Sequence, residues 1–239
     1  PDIGILGTSA WIINGRGRYV AYMARPTHPL EVLWSSLFAN PFAHPSVMMR
    51  AKILRTNRLM YDAQFHYSQD YALWCHFLKF SQGANLREPL IKYRIHNSNA
   101  SYTRAQAVTS EARAISKQCL REYFPEDALS EEQLHNFVSL FIVDSPLISN
   151  LQFDRAKLAM MYLDLFRLFA DRHPGSSAIP SLYRYTSLEA IKAVVRPLPV
   201  APGWLRVVWR ALLLDVRVLW HFPLWILDRL WIRSIRLLM

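Results

Sequence analysis

The sequence is poor in the residue types that mark disordered, disulfide-bonded or zinc-binding chains. Its 239 residues include only 7 glycines and 2 cysteines, and charged residues make up 19% against 52% hydrophobic residues. Such a balance excludes an intrinsically disordered chain and predicts a folded one with a sizeable core. Because Cys75 and Cys119 form neither a disulfide framework nor a metal-ligand spacing, we expect a reducing compartment.

Acidic residues are also few compared with basic ones. The chain has 18 Asp and Glu against 28 Lys and Arg, a formal net charge of +10 at pH 7. This excess predicts an anionic partner: a nucleic acid, a membrane surface or a phosphate-bearing substrate. No signal peptide is visible, and Pro1 directly precedes a strand-like run, so we expect a piece of a longer protein.

The first hundred residues alternate strand-like and helix-like segments. Strands are predicted over residues 3–8, 11–13, 19–22, 46–49, 84–86 and 90–94, and helices over 30–38, 52–58 and 70–81. Asn14-Gly15 is a strong turn signal, and Glu88-Pro89 predicts a second turn between the last two strands. Residues 1–101 are therefore predicted to form an α/β domain.

The rest of the chain is predicted to be mainly α-helical. Helices are expected over residues 102–124, 130–143, 151–172 and 181–195, before a stiff proline-rich linker at 196–203. The third of these helices carries a one-sided apolar stripe formed by Leu158, Met161, Tyr162, Leu165, Phe166 and Phe169. At helical spacing such a stripe indicates a packing face. We assign residues 102–203 to a helical region.

Residues 204–239 form a basic, tryptophan-rich segment. Arginines interrupt its apolar residues, so no charge-free run is long enough to span a bilayer. Tryptophan and arginine beside an apolar face are typical of amphipathic helices lying in the interface of an anionic membrane. The alternative is a helix packed on the protein's own body, with its arginines reaching solvent. Nucleic acid is disfavoured, because the arginines alternate with bulky aliphatic residues that need burial.

The segment at residues 67–74 places an acid at the start of a predicted amphipathic helix. Ser68 is a plausible N-cap and Asp70 falls in the first turn, where the helix dipole favours an ionised carboxylate. Such a group can take a proton from an attacking hydroxyl. Alternatively, Asp70 is an ordinary acidic residue of the first helical turn and has no catalytic role.

Three segments, residues 40–50, 67–74 and 90–96, together with the opening residues 1–7, occur in an order and spacing that resembles a known family. They resemble the second half of the catalytic domain of family 2 inverting glycosyltransferases, which have the GT-A fold. The resemblance covers about residues 1–101. It implies transfer of a sugar from a nucleotide-sugar donor to an acceptor hydroxyl with inversion. Asp70 then matches the catalytic base, and Gln69 replaces the glutamate that usually precedes it.

The resemblance also implies roles for the last of these segments. Tyr93 and Arg94 match the family's Tyr-Arg pair in the pocket, and His96 matches a histidine near the metal and the diphosphate. Imidazole is a reasonable Mn²⁺ ligand. The alternative for His96 is a histidine held within a loop.

His44, Ser46 and Trp74 are candidates for the acceptor side of the pocket. His44 and Ser46 belong to the first matched segment, and Trp74 follows Asp70 by about one helical turn. The alternative for His44 is a buried histidine at a strand start. The helical phase of Trp74 also suits core packing.

The chain lacks one element of the family, since it contains no Asp-x-Asp motif. The resemblance implies that this motif holds a divalent metal, Mn²⁺ or Mg²⁺, and that it belongs to an N-terminal nucleotide-binding half. We expect these parts before Pro1, in a longer protein.

The resulting hypothesis is a glycosyltransferase of cell-surface polysaccharide or glycolipid synthesis. Its acceptor is expected to be a saccharide or a lipid-linked sugar, and its location the cytoplasmic, inner face of a membrane. The alternative is a non-catalytic, membrane-associated helical interaction module. A nucleic-acid binder is suggested by charge alone.

Overall fold

A computed structural model describes residues 2–96, 98–99, 103–141, 154–195 and 203–214. The chain divides into two compact units, Pro1–Val143 and Asp144–Met239. The first unit begins with a mixed sheet and helices, and the second is helical over its described residues. The predicted order of an α/β part followed by a mainly helical part is therefore confirmed.

The sheet of the first unit is built around its first strand, β1 (Ile3–Ile13). Strand β4 (Gln82–Arg94) pairs with β1 in parallel along nearly its whole length. Strand β2 (Tyr19–Met23) pairs antiparallel with one end of β1, and β3 (Met48–Met49) pairs antiparallel with the other end. Strand β4 therefore occupies one edge of β1. Strands β2 and β3 share the opposite edge, so β1 lies in the middle of the sheet.

The turn predicted at Asn14-Gly15 joins β1 to β2. The Asn14 side chain accepts hydrogen bonds from the backbone N–H groups of Arg16 and Arg18, both at 3.0 Å. Gly17 adopts a positive φ of 79°, which a residue without Cβ reaches at no steric cost. Asparagine and glycine thus fix the hairpin locally, as their sequence predicts.

The predicted turn at Glu88-Pro89 is wrong, because residues 84–86 and 90–94 belong to one strand, β4. Pro89 lies opposite Ser9 at a point where the register with β1 shifts. Among the described strands, β4 pairs with β1 alone. Its other edge makes no strand pairing there, so a residue without a backbone N–H is tolerated on it. An edge strand with an irregular register tolerates proline in this way.

The strand predicted over residues 46–49 is shorter than expected. His44–Ser46 form a single 3₁₀ turn, and only Met48–Met49 pair with β1. The Ser46 hydroxyl accepts from the backbone N–H of Thr8 at 3.0 Å and donates to the Ala43 carbonyl at 2.7 Å. These side-chain hydrogen bonds of Ser46 compete with strand pairing, which explains why the strand begins only at Met48.

Among the described residues of the first unit, five helices accompany the sheet. They are α1 (Pro29–Ser36), α2 (Ala51–Thr56), α3 (Gln69–Leu78), α4 (Ala105–Tyr123) and α5 (Glu131–Phe141). Helix α3 ends at Leu78 rather than near residue 81, since β4 begins at Gln82. The core between sheet and helices contains Ile5, Val32, Phe42, Leu73, Trp74 and Phe77.

Helices α4 and α5 pack on the helices beside the sheet. The Ser116 hydroxyl of α4 donates to the Leu37 carbonyl at the end of α1, at 2.6 Å. Phe137 of α5 lies 5.8 Å from Phe38, measured between ring centroids. Cys75 and Cys119 are both buried, and neither forms a disulfide.

The second unit contains α6 (Arg155–Asp171), α7 (Ile179–Val195) and α8 (Trp204–Leu214). The apolar stripe predicted on α6 is confirmed as a packing face: Met161 is partly buried, and the other five residues are buried, namely Leu158, Tyr162, Leu165, Phe166 and Phe169. Of the predicted interfacial segment 204–239, only α8 lies within the described residues. Among the described residues, no helix has the length and the apolar character to cross a membrane.

Candidate active site

The Asp70 side chain is held by hydrogen bonds at the start of α3. Its Oδ1 accepts from the backbone N–H of Tyr71 at 2.8 Å, and its Oδ2 accepts from Asn40 Nδ2 at 2.9 Å. His44 Nδ1 lies 3.2 Å from the same Oδ2. The carboxylate is thus nearly buried and fixed in orientation by two hydrogen-bond donors, with the imidazole of His44 in contact with it.

His44 lies on the solvent side of Asp70. Its ring is perpendicular to that of Trp74, with 5.9 Å between the centroids, and its Nε2 lies 3.4 Å from the Tyr61 hydroxyl. The side chain of His44 is 48% exposed, whereas that of Asp70 is 12% exposed. Of the two, His44 therefore offers the more accessible polar atom to a ligand.

Two residues that the sequence analysis did not single out, Asn40 and Arg25, complete the surroundings of Asp70. The Asn40 carbonyl accepts from Arg25 Nη1 at 3.4 Å, while its side chain donates to Asp70. Burial lowers the pKa of the Arg25 guanidinium, and the neighbouring Tyr93 and Asp70 side chains partly offset this lowering. Arg25 Nε is buried without a hydrogen-bond partner. Asn40 stands inside a matched sequence segment, whereas nothing local in the sequence marks Arg25.

Asn85 of β4 fastens the two loops that carry these residues. Its Nδ2 donates to the Pro26 carbonyl at 2.8 Å and to the Pro41 carbonyl at 3.2 Å. A Cβ at Gly7 would lie 2.3 Å from Asn85 Oδ1, so a glycine there makes room for the amide. Asn85 is only 4% exposed, and its role depends on contacts that are remote in sequence.

The approach to α3 is capped by Glu111 of α4, not by the predicted N-cap side chain of Ser68. The Glu111 carboxylate accepts from the backbone N–H groups of His66, Tyr67 and Ser68 at 3.0, 2.8 and 2.8 Å. The Ser68 hydroxyl instead donates to the Val108 carbonyl at 3.3 Å. Burial raises the pKa of Glu111, but the three backbone donors outweigh it, so that the net shift is downward.

The other residues predicted near Asp70 occupy different environments. Trp74 is 1% exposed and packs in the core, touching the site through the ring of His44. Ser46 uses its hydroxyl in the bonds to Thr8 and Ala43. Gln69 is the first residue of α3, and its Oε1 is buried without a hydrogen-bond partner.

The segment at the end of β4 is only partly joined to this cluster. Tyr93 acts electrostatically on Arg25. Arg94 Nη1 donates to the carbonyls of Asn14 and Gly15, at 3.1 and 3.2 Å, and so braces the hairpin turn. His96 Nδ1 lies 2.8 Å from Ser98 Oγ.

No metal site is formed by the part of the chain that the structure describes. Within those residues, no three His, Cys, Asp or Glu side chains lie together in a group that could hold an ion. His96 by itself does not fit a divalent metal, which needs several ligands. The divalent metal that the resemblance implies stays a prediction.

The described arrangement combines a fixed carboxylate, an imidazole in contact with it and a nearby guanidinium. A carboxylate and an imidazole can remove a proton from a hydroxyl, and a guanidinium can bind an anionic group. These are the functions that a group transfer to a hydroxyl requires.

Comparisons with known proteins agree with this chemistry. The chain is 27% identical over 93 residues to an uncharacterized glycosyltransferase of Haemophilus influenzae, which covers 39% of this chain and 29% of that protein. It is 33% identical over 101 residues to the O-antigen biosynthesis glycosyltransferase WbnJ of Escherichia coli, covering 41% of this chain and 39% of WbnJ. The chain is thus related to glycosyltransferases, although it spans well under half the length of these two.

No protein-family model matches the chain. No solved structure matches it either.

Proposed function

We propose that the chain is the acceptor-side part of a glycosyltransferase, which moves a sugar from a nucleotide-sugar donor to an acceptor hydroxyl with inversion. The observation that carries the proposal is the Asp70 carboxylate, held by two hydrogen-bond donors and in contact with the half-exposed His44. The relationship to proteins named glycosyltransferases supports the same class of reaction. The alternative, a non-catalytic helical module, gives no reason for so many bonds around one carboxylate.

In this proposal the Asp70 carboxylate drives the removal of the acceptor proton. The acceptor oxygen attacks the anomeric carbon, and the bond to the nucleotide diphosphate breaks on the opposite face. Asn40 and the Tyr71 N–H fix the direction of the carboxylate, which keeps the attacking group in a reactive geometry. General-base catalysis of this kind contributes about 10²–10⁴-fold to the rate.

The proposed acceptor is a saccharide or a lipid-linked sugar of a cell-surface polysaccharide or glycolipid. One relative is named for O-antigen biosynthesis, which supports a polysaccharide product. Two buried thiols without a disulfide support a reducing, cytoplasmic location.

We further propose that the second unit contacts an anionic membrane through α8. Val207 and Ala211 of α8 are buried, whereas Leu205, Trp209 and Leu213 are 64%, 67% and 70% exposed. Spaced four residues apart, these three lie on one helical face. An exposed stripe of leucine and tryptophan beside arginines suits the interfacial region of a bilayer.

The test of the catalytic proposal is sugar transfer by the full-length gene product. A panel of UDP-, GDP- and dTDP-hexoses is offered with Mn²⁺, and release of the nucleoside diphosphate is followed. Asp70→Asn should lower turnover by about 10²–10⁴-fold while calorimetry shows unchanged donor binding. Asp127→Asn, an exposed aspartate between α4 and α5, is the matched control. Turnover that is equal in the two variants would refute the assignment of Asp70.

The membrane proposal is tested by co-sedimentation of the full-length protein with vesicles of phosphatidylglycerol and phosphatidylcholine. Binding should weaken with salt and with the change Trp209→Glu. Binding that is independent of both would argue against contact through α8.

A further inference from the structure

The orientation of His44 indicates which atom meets the acceptor hydroxyl. Its Nδ1 faces Asp70 Oδ2 at 3.2 Å, while its Nε2 faces outward, 3.4 Å from the hydroxyl of Tyr61. When Nδ1–H donates to a carboxylate, the neutral imidazole keeps an unprotonated Nε2 that can accept a proton. Tyr61 is about half exposed, and its position shows that a hydroxyl group can reach Nε2.

The Asp70 side chain is less accessible to a ligand than that of His44. A carboxylate has about four acceptor positions. In Asp70, Oδ1 is used by the Tyr71 N–H, and Oδ2 is used by both Asn40 and His44. With 12% exposure against 48% for His44, Asp70 has little room for a further hydroxyl donor.

We infer that His44 Nε2, rather than an oxygen of Asp70, receives the proton of the acceptor hydroxyl, and that Asp70 orients the imidazole and stabilises the imidazolium. This inference rests on the proposed function and names the proton acceptor within it. A carboxylate paired with histidine Nδ1 serves in the same way in other enzymes with a histidine base.

The step balances as follows for an acceptor alcohol and a nucleotide-sugar donor. The O–H bond breaks, its proton goes to Nε2, and the oxygen electron pair forms the new bond to the anomeric carbon. The bond from that carbon to the diphosphate oxygen breaks, and its electron pair leaves with the nucleoside diphosphate. The half-exposed imidazolium then returns its proton to water.

The charged and titratable groups around His44 come from three parts of the first unit. Asp70 of α3 contacts Nδ1, and Tyr61, in the segment between α2 and α3, faces Nε2. Arg25, which precedes α1, acts on Asp70. Trp74 packs perpendicular to the imidazole and is itself fixed in the core. A negative partner on one side and a rigid ring beside it suit an imidazole that becomes charged during the reaction.

The decisive variant is His44→Asn in the full-length protein. The asparagine amide can still donate to Asp70 but has no basic nitrogen, so it preserves positioning and removes the proton acceptor. We expect kcat/KM to fall by about 10²–10⁴-fold with KM for the donor unchanged. His44→Ala should fall similarly and recover part of its rate with added imidazole. His135→Gln, at an exposed histidine of α5, serves as the control and should keep its rate.

The pH profile separates a base from a structural neighbour. A histidine base gives an acid limb in kcat/KM near neutral pH, whereas a carboxylate base gives one about two to three pH units lower. We expect the acid limb of kcat/KM in the wild type to be absent from the residual activity of His44→Asn. A loss of about tenfold or less in His44→Asn, while Asp70→Asn abolishes transfer, would overturn the inference.

Nuclear magnetic resonance of the histidine nitrogens provides a readout that does not need activity. With ¹⁵N-labelled histidine, neutral His44 should be protonated at Nδ1 in the wild type and lose this preference in Asp70→Asn. Protonation at Nε2 in the wild type would refute the inference. Wild-type protein that transfers no sugar from any donor would refute the proposed function, whereas an active wild type with the wrong tautomer would refute only the role of His44.

Discussion

The link between Glu111 and the start of α3 leads to a prediction about how α4 supports the site. Glu111→Gln replaces the carboxylate by an amide of nearly equal size, which has one acceptor oxygen instead of two. In the wild type, the backbone N–H groups of residues 66–68 all donate hydrogen bonds to this carboxylate. They lie directly before Gln69, where α3 begins.

The size of the effect follows from the number of bonds and their exposure. A hydrogen bond to a charged group contributes about 1.5–3 kcal/mol when well protected. Residues 66 and 67 are exposed and Glu111 is partly exposed, so water replaces part of each lost bond. Ser68 is buried, and its N–H lacks that compensation. We expect the free energy of unfolding to fall by about 2 kcal/mol at pH 7, from the loss of one or two such bonds.

Urea denaturation of the full chain, followed by tryptophan fluorescence, measures this loss. Because the folded-state pKa of Glu111 is lowered from 4.5, its contribution is fully present above pH 4.5 and disappears as the pH falls through the lowered value. The stabilities of wild type and variant should therefore converge at acidic pH. Glu126→Gln, an exposed acid after α4, is the control. A difference of about 2 kcal/mol that does not shrink at any acidic pH where both proteins stay folded would refute the electrostatic argument.

Two further predictions concern amides beside the site. Asn40→Ala removes the 2.9 Å hydrogen bond to Asp70. We expect a loss of about 2 kcal/mol of stability by urea denaturation and slower sugar transfer. Equal transfer rates in the variant and the wild type would contradict this expectation. Asn85→Ala leaves the Pro26 and Pro41 carbonyls without their 2.8 and 3.2 Å donor. We expect about 1–3 kcal/mol of destabilisation by the same measurement, and faster proteolysis between β2 and α2; protection equal to wild type would argue against the role of Asn85 in fastening these loops.

The parts of the fold that depend on local chemistry could be predicted from the sequence. The hairpin at Asn14-Gly15 depends on turn geometry, and α3 depends on an apolar stripe at helical spacing. Strand β4 could not be predicted as one element, since Pro89 carries a local turn signal. Its continuity is decided by pairing with β1, more than seventy residues away in sequence, which outweighs local preference.

The candidate site divides in the same way. Asp70 and His44 stand in segments with recognisable spacing, and the structure brings them into contact at 3.2 Å. Asn40, Asn85 and Glu111 act through hydrogen bonds that span 30 or more residues of sequence. Each is an ordinary polar residue in its local context, so only the folded contacts reveal that it supports the site.

These long-range bonds also connect α4 to the position of the Asp70 side chain. Glu111 holds the backbone before α3, and Ser116 holds the end of α1. At the far end of α3, Lys79 pairs with Glu122 of α4 at 2.7 Å. Helix α3 is thus fastened to α4 at both ends, and Asp70 lies in the turn next to the first of these attachments. Since a displacement of about 1 Å at a reacting group costs about 10²-fold in rate, substitutions in α4 that touch no substrate should still alter sugar transfer.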